Sequence, residues 1–311
     1  MRDSPSEPGL TEAVVATAAA VTAGPGALNG AVGPVEQLFV AKRLGAGFWI
    51  SIGWVALVVV LALTAGILPL QDPLAIGDNA PRLGPTAGHL LGTDELGRDL
   101  LARVAFGSRT SLIVGFTSIA FGIVVGGAVG LVAGYYGGRL DAALNGISTV
   151  LLAFPVLIFL LTVVTFLGQN LFDVTLTLGI LSVAPIARII RANTLAYANR
   201  EFVLAARALG ARNRRILVRE ILPNVLPSAL AFSLVAVAVV IVAEGALSFL
   251  GLSVRPPTPT WGGMIAEGGQ VLAQDPLVAL WPALAMFVTV LALNFAGDRL
   301  QVYFEVREGG L

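Results

Sequence analysis

Ile221-Leu-Pro-Asn-Val-Leu-Pro-Ser-Ala-Leu-Ala-Phe-Ser-Leu-Val-Ala-Val-Ala-Val-Val-Ile-Val-Ala243 contains no charged side chain. A helix needs about 20 mostly apolar residues to cross the hydrocarbon core of a bilayer, and this stretch is long enough. Four more charge-free stretches of similar or greater length occur at Leu44–Gln71, Thr110–Gly138, Ala142–Phe172 and Pro276–Gly297. The sequence therefore predicts an integral membrane protein built from helices.

A sixth span is predicted at Asn170–Ile190, although its pattern is weaker. It contains Asp173 near its start, Pro185 inside it and Arg188 near its end. We include it because the two flanking spans would otherwise need incompatible topologies. Pro155 and Pro185 interrupt helical patterns and predict kinks, which serve either alternating access or ordinary helix packing.

The composition agrees with a membrane domain and excludes several kinds of chemistry. Of 311 residues, 56% are hydrophobic and 12% charged, whereas soluble domains carry about 25% charged residues. The chain has no cysteine, which excludes disulfides, thiolate metal sites and cysteine nucleophiles. His89 is its only histidine, so a zinc or haem ligand set is not expected.

The distribution of basic residues predicts that both termini are cytoplasmic. With six spans and the N-terminus inside, fourteen basic residues face the cytoplasm: Arg2, Lys42, Arg43, Arg139, Arg188, Arg191, Arg200, Arg207, Arg212, Arg214, Arg215, Arg219, Arg299 and Arg307. Five face outward: Arg82, Arg98, Arg103, Arg109 and Arg255. The asymmetry favours the N-in, C-in arrangement.

Four regions follow from this topology. Residues 1–40, rich in Ala, Gly, Pro, Ser and Thr, are predicted to be a disordered cytoplasmic tail, a cleaved leader being the alternative. Residues 44–71 form the first span, and residues 72–109 an extracytoplasmic loop whose stretch Thr93–Gly107 is predicted to be an amphipathic helix. Residues 110–306 hold the other five spans and a cytoplasmic loop at 200–224.

The loop at 200–224 contains most of the functional information. Its part Arg200–Glu220 has six arginines and two glutamates. Phe202, Ala206 and Leu209 recur at i, i+4 and i+7, which predicts an apolar face on a short helix, and Gly210 is a natural helix terminator.

A second short helix is predicted after Gly210, where Ile216, Leu217 and Ile221 precede Pro223. A basic loop that only fixes topology would explain the charge. The small pair Ala205-Ala206 followed by Gly210 favours a docking surface instead, because small residues let another protein's backbone approach closely.

This loop resembles the EAA loop of bacterial ABC importer permeases. The residues on its motif positions are Ala205, Ala206, Gly210, Leu222 and Pro223. Leu204 stands where that motif has glutamate and Glu220 where it has isoleucine, departures typical of the dipeptide/oligopeptide (peptide/nickel) branch.

The resemblance extends over roughly residues 90–300 and is closest to the C-type permease of that branch. Its other motifs are Leu91–Asp99, Gly107–Leu112, Glu244–Leu252, Pro256–Met264 and Asn294–Leu300. It implies an all-α integral membrane fold with six transmembrane helices, similar to type I ABC importer permeases.

The resemblance also implies a division of labour. A phosphate-binding loop of the Gly-x4-Gly-Lys-Ser/Thr type is missing, since Lys42 is the only lysine, so the chain is expected to be no enzyme and to bind no cofactor. ATP and Mg would sit on two cytoplasmic ATPase subunits. A paralogous permease would complete a heterodimer in the lipid bilayer, and an extracytoplasmic binding protein would deliver substrate. No nucleic-acid partner is expected.

The residues implied to contact the ATPases are Leu204, Ala205, Ala206, Arg207, Leu209, Gly210, Ala211 and Pro223. The cargo implied is a di- or oligopeptide, with nickel chelates and haem left open. Thr93–Gly107 would either dock the binding protein or lie at the membrane interface.

Three polar residues in the later spans are candidates for the translocation path or a gate: Glu244, Asn294 and Asp298. Hydrogen bonding between helices is the alternative role for each. A rival function is a secondary transporter or channel driven by an ion gradient, but such proteins carry ionisable groups near the bilayer midplane, which this chain almost lacks. A membrane scaffold would explain none of the motifs.

Small residues repeat every four positions along the second predicted span, at Gly122, Gly126, Gly130 and Gly134, with Gly127 beside them. This spacing predicts close helix packing, within the chain or against a partner subunit.

Overall fold

The computed structural model describes residues 44–76 and 80–309, with side chains as far as Phe304. The predicted tail at 1–40, with Lys42 and Arg43 behind it, lies outside the described residues. The helices are α1 Gly45–Thr64, α2 Leu100–Tyr136, α3 Gly138–Ala153, α4 Val156–Leu167, α5 Leu171–Ala198, α6 Glu201–Ala208, α7 Leu222–Phe249, α8 Trp261–Gly269 and α9 Leu277–Gly309. A helical turn, Asn213–Arg215, and a π-helical segment, Ile216–Ile221, lead directly into α7.

Five of these helices are long and apolar enough to cross a membrane: α1, α2, α5, the continuous segment Asn213–Phe249, and α9. Helices α3 and α4, of 16 and 12 residues, are each too short to cross alone; they pass the same test only as a pair, and that pair is bent by 92°. Phe154 is extended at the bend and Pro155 follows it, as expected of a residue before proline. Pro185, in contrast, lies inside the unbroken helix α5.

The bent pair runs from one end of the bundle to the other. We call the end with Tyr135 and Asn213 the coupling end, and the end with Arg103, Gln169 and Glu267 the distal end. Helix α3 begins directly after α2, at the coupling end. Gln169, just beyond α4, accepts a hydrogen bond of 2.8 Å from Arg255 Nε at the distal end. Counted as one crossing, the pair brings the candidate spans to six, which is the predicted number.

Helix α2 begins earlier than predicted. The Asp99 side chain accepts a hydrogen bond from the Ala102 amide and caps the helix there. No separate amphipathic helix forms over Thr93–Gly107. Its first half is a loop, and its second half is the first turns of α2, in which Leu100 and Arg103 are buried. The expected interfacial helix is thus part of the bundle.

The most extensive helix packing joins α2 to α5. A Cβ added at Gly126 would lie 2.6 Å from the Val183 carbonyl oxygen, and one added at Gly130 would meet the Ala187 carbonyl oxygen. Only glycine allows these backbones to approach so closely. The glycine repeat therefore packs within the chain.

Candidate functional site

Helix α6, which we call the coupling helix, is fixed to the bundle by one buried side chain. Val203 is 0% exposed and belongs to the same core cluster as Ile216 and Ile221 of the π-helical segment. The predicted second short helix is not separate, because it continues through this segment into α7. The coupling helix therefore packs against the start of a transmembrane span.

The coupling helix ends in a glycine C-cap, as the sequence predicts. Gly210 has φ +81, and a Cβ there would meet no atom within 4 Å, so the left-handed backbone is what requires glycine. The Gly210 amide donates to the Arg207 carbonyl and the Ala211 amide to the Ala206 carbonyl, each at 3.0 Å. These two bonds form a Schellman motif, which fixes the direction of the chain after the helix.

The exposed surface of the coupling helix includes large apolar side chains beside the charged Glu201 and Arg207. Leu204 is 50% exposed and Leu209 is 88% exposed, and the small residues that follow them, Ala205 and Gly210, are also exposed. The predicted face of Phe202, Ala206 and Leu209 does not form the buried side: only Ala206 is partly buried, because Val203 supplies the core contact.

Arg207 connects the coupling helix to two spans. Its Nη2 donates to the Tyr135 hydroxyl at 3.3 Å, and its guanidinium lies over the Tyr135 ring, 5.7 Å from the ring centroid. The Tyr135 hydroxyl donates in turn to Asn213 Oδ1 at 3.0 Å. Tyr135 is at the end of α2 and Asn213 begins the segment before α7, so these contacts join the coupling helix to the ends of both segments.

A groove of about 940 Å³ lies beside the coupling helix at the coupling end. Arg200, Glu201 and Phe202 form one side, and Pro223 and Phe304 belong to the others. Pro223, an exposed residue, thus lines the same groove as the start of the coupling helix, whereas the seven predicted interface residues at 204–211 do not line it.

The structure does not bring the three path or gate candidates together. Glu244 is 1% exposed, and its Oε1 accepts hydrogen bonds from Ser253 at 2.6 Å and Ser248 at 3.0 Å. Met286 of α9 faces Gly245, and at ~1.5 Å per residue Asn294 lies about 12 Å further along that helix and Asp298 about 18 Å. Their roles in a path remain predictions.

Two ion-pair groups that join different helices were missed by sequence reasoning. Arg191 of α5 donates through Nη2 to Asp141 of α3 at 2.6 Å, with a second contact between the same side chains. At the distal end, two acidic and two basic side chains form one cluster of ion pairs: Asp94, Glu267, Arg98 and Arg103. The arginines served only as topology markers in the sequence, and pairing partners far along the chain give no local signal. Within residues 44–76 and 80–309, no group of His, Cys, Asp and Glu could hold a metal ion.

Comparison with known proteins identifies the family of this chain. The family described as "Binding-protein-dependent transport system inner membrane component" matches residues 122–309, more than half of the chain. The chain belongs to this family. It is thus a permease of the bacterial inner membrane.

Curated relatives identify the branch to which this permease is similar. The glutathione transport system permease protein GsiD of Pectobacterium atrosepticum is 39% identical over 218 residues, covering 70% of this chain and 72% of the relative. The dipeptide transport system permease protein DppC of Alkalihalophilus pseudofirmus is 32% identical over 243 residues, covering 78% and 80%. Both are permeases of the peptide/nickel branch of ABC importers, as the loop motif predicts.

Solved structures confirm the fold of this permease. Inward-facing MetNI methionine ABC transporter chains match with TM-scores of 0.51 and 0.52 and identities of 22% and 21%, covering 65% of this chain and 94% and 96% of those chains. The predicted type I importer fold is confirmed. The permease is therefore the non-catalytic membrane subunit of an ABC importer, and the rival secondary transporter is not retained.

Proposed function

We propose that the coupling helix is the docking surface for a cytoplasmic ATPase, and that the permease forms half of the translocation path for di- or oligopeptides. The observation that carries the proposal is the pair Leu204 and Leu209, exposed on a helix whose opposite side is anchored by Val203. Large apolar side chains on a short, rigidly held helix outside the spans favour a protein partner.

The route of coupling follows from the contacts at this end. A push on the coupling helix is transmitted through Val203 to the π-helical segment and through Arg207 to Tyr135. Two ATPases, each binding ATP and Mg, would close on the coupling helices of this chain and of a paralogous permease. That closure would reorient the spans, and an extracytoplasmic binding protein would present the peptide at the distal end.

The peptide cargo is supported by the relatives, whose names specify glutathione and dipeptide transport. It would be tested by uptake of a labelled dipeptide into proteoliposomes that contain the full complex and its binding protein.

Docking is tested by Leu209→Asp in a complex co-expressed with its ATPases and second permease and purified by a tag on this chain. The matched control is Leu90→Asp, which changes a leucine that is 64% exposed in the loop before α2. We expect Leu209→Asp to lose most of the co-purifying ATPase and Leu90→Asp to retain it. Full ATPase retention and activity in Leu209→Asp would contradict the proposal.

A further inference from the structure

A cavity of about 490 Å³ lies at the distal end, beside the short helix α8. Its walls are the end of α7, the loop before α8, α8 itself, Arg103 of α2 and Gln169 before α5. This volume is within the ~300–1,000 Å³ typical of small-molecule sites. The cavity is at the opposite end of the bundle from the coupling helix and has no part in the contacts described there.

Arg103, which lines this cavity, has unused hydrogen-bonding capacity. It is 2% exposed, its Nη2 donates to Glu267 Oε2 at 2.8 Å, and its Nε lies 3.4 Å from Asp94 Oδ2. Its Nη1 is buried and has no hydrogen-bond partner among the residues that the structure describes. A buried donor without an acceptor is unfavourable, so Nη1 would gain a favourable hydrogen bond from an acceptor that entered the cavity and displaced the atoms covering it.

The charges around the cavity favour an anion. Arg98 Nε donates to Asp94 Oδ2 at 2.6 Å, so Asp94 and Glu267 together balance Arg98 and Arg103. Arg255 also lines the cavity and is held by Gln169, which is uncharged. Of the charged residues in the lining, two are therefore arginines and one is a glutamate.

Further lining groups suit a small, partly apolar ligand. Phe249, which is 63% exposed, provides apolar surface, and the side chain of Glu267 is 38% exposed. Guanidinium groups bind carboxylates in a planar, two-bonded geometry, and a carboxylate such as that of Glu267 binds an ammonium group.

We propose that the distal cavity binds a short peptide, with Arg103 and Arg255 on its α-carboxylate and Glu267 on its α-ammonium group. This proposal rests on the proposed function, because it assigns the imported peptide a binding site in the permease at the end where the binding protein would deliver it. The ligand class is a zwitterion with a free C-terminal carboxylate.

The test measures equilibrium binding of tritiated L-alanyl-L-alanine and of its C-terminal amide to the purified full complex in lipid nanodiscs, without the binding protein. The variants are Arg255→Gln, at an exposed position, and Arg103→Gln. The matched control is Arg109→Gln, which removes an exposed arginine on the same helix α2 outside the cavity.

We expect wild type and Arg109→Gln to bind the free acid about tenfold more tightly than the amide, since one charge-assisted interaction is lost in the amide. Arg255→Gln and Arg103→Gln should each lose this preference. If Arg103→Gln fails to assemble, Arg255→Gln decides the result.

Equal binding of acid and amide by wild type, or no binding of either at millimolar concentration, would overturn the proposal. So would an Arg255→Gln variant that keeps the preference. Co-purification of the ATPases is recorded on the same samples. A complex that assembles with its ATPases but does not bind peptide contradicts this inference and leaves the proposed function intact. A chain that purifies without ATPases contradicts the proposed function.

Discussion

Neighbouring residues on the coupling helix have opposite environments. Val203 is fully buried against the π-helical segment, while Leu204 is half exposed. Because successive side chains on a helix point about 100° apart, one residue anchors the helix and the next is available to a partner. Anchoring and docking are therefore separable by substitution at adjacent positions.

We predict that Val203→Ala loosens the coupling helix and that Leu204→Ala does not. Removing two buried carbons at ~0.8 kcal/mol each costs about 1.5 kcal/mol, enough to speed local opening roughly tenfold. Hydrogen exchange of amides in Glu201–Ala208 measures this. Leu204→Ala should leave exchange unchanged but reduce ATPase retention, and equal exchange in the two variants would contradict the anchoring role.

We predict that Glu244 acts through its hydrogen bonds. Glu244→Gln keeps an oxygen for Ser248 and Ser253, so transport should stay within about twofold of wild type. Glu244→Ala leaves both hydroxyls without this acceptor. Because an unsatisfied buried polar group costs about 1–3 kcal/mol of folding free energy, this variant should lower the yield and thermal stability of the complex. A well-folded Glu244→Gln complex that no longer transports would instead support the gate role.

At the scale of elements, the contact of α2 with α5 depends on backbone approach. A Cβ at Gly126 would face the Val183 carbonyl oxygen at 2.6 Å and the Ala187 amide nitrogen at 3.2 Å. Backbone atoms in two paired helices cannot move aside as the end of a flexible side chain can. The separation of these helices is therefore set by the absence of a side chain.

We predict that Gly126→Ala lowers the thermal stability of the purified protein and that Gly146→Ala does not. A Cβ at Gly146 meets no atom within 4 Å, and alanine in a helix is favoured over glycine by about 0.5–1 kcal/mol. The two variants introduce the same atom in helices α2 and α3, so the melting temperatures compare packing alone. An unchanged melting temperature for Gly126→Ala would show that α5 can shift without cost.

The bent pair α3 and α4 shows that a continuous apolar stretch of sequence does not always form a continuous helix. The apolar stretch Ala142–Phe172 predicts one continuous span. Pro155 interrupts it, and two shorter helices form with a bend of 92° between them. Asn170–Ile190 reads as the weakest span but folds into the long unbroken helix α5. Its arginine at 191 is paired with Asp141 of α3, which offsets the cost of charge near the bundle.

At the scale of the whole molecule, the orientation of the chain in the membrane remains a prediction. It can be tested by cysteine labelling. The sequence has no cysteine, so single cysteines introduced at Leu209 and Leu90 carry the only thiol. Both leucines are exposed, at opposite ends of the chain's bundle. In intact cells, a membrane-impermeant maleimide should label Leu90→Cys from outside, and Leu209→Cys only after the inner membrane is opened. The reverse pattern would overturn the N-in, C-in topology.

Properties that depend on local sequence were predictable. The number of crossings follows from apolar length, and the coupling helix with its end at Gly210 follows from a small set of neighbouring residues. The start of α2 was placed too late, because Arg103 and Arg109 were counted as extracytoplasmic and Arg103 was assigned to a separate amphipathic helix. Burial of Arg103 needs the carboxylate of Glu267, which is 164 positions away in sequence.

The sequence by itself determined the membrane class, the set of apolar spans, the short helix that ends at Gly210 and the family to which the chain belongs. Each of these is encoded in the length, order or spacing of residues along a continuous stretch. Only the tertiary structure decided that the glycine repeat faces α5, that Val203 anchors the coupling helix, and that Arg103 and Glu267 meet beside a cavity. The physical reason is that close packing and charge pairing depend on distances between segments, and those distances exist only once the helices have assembled.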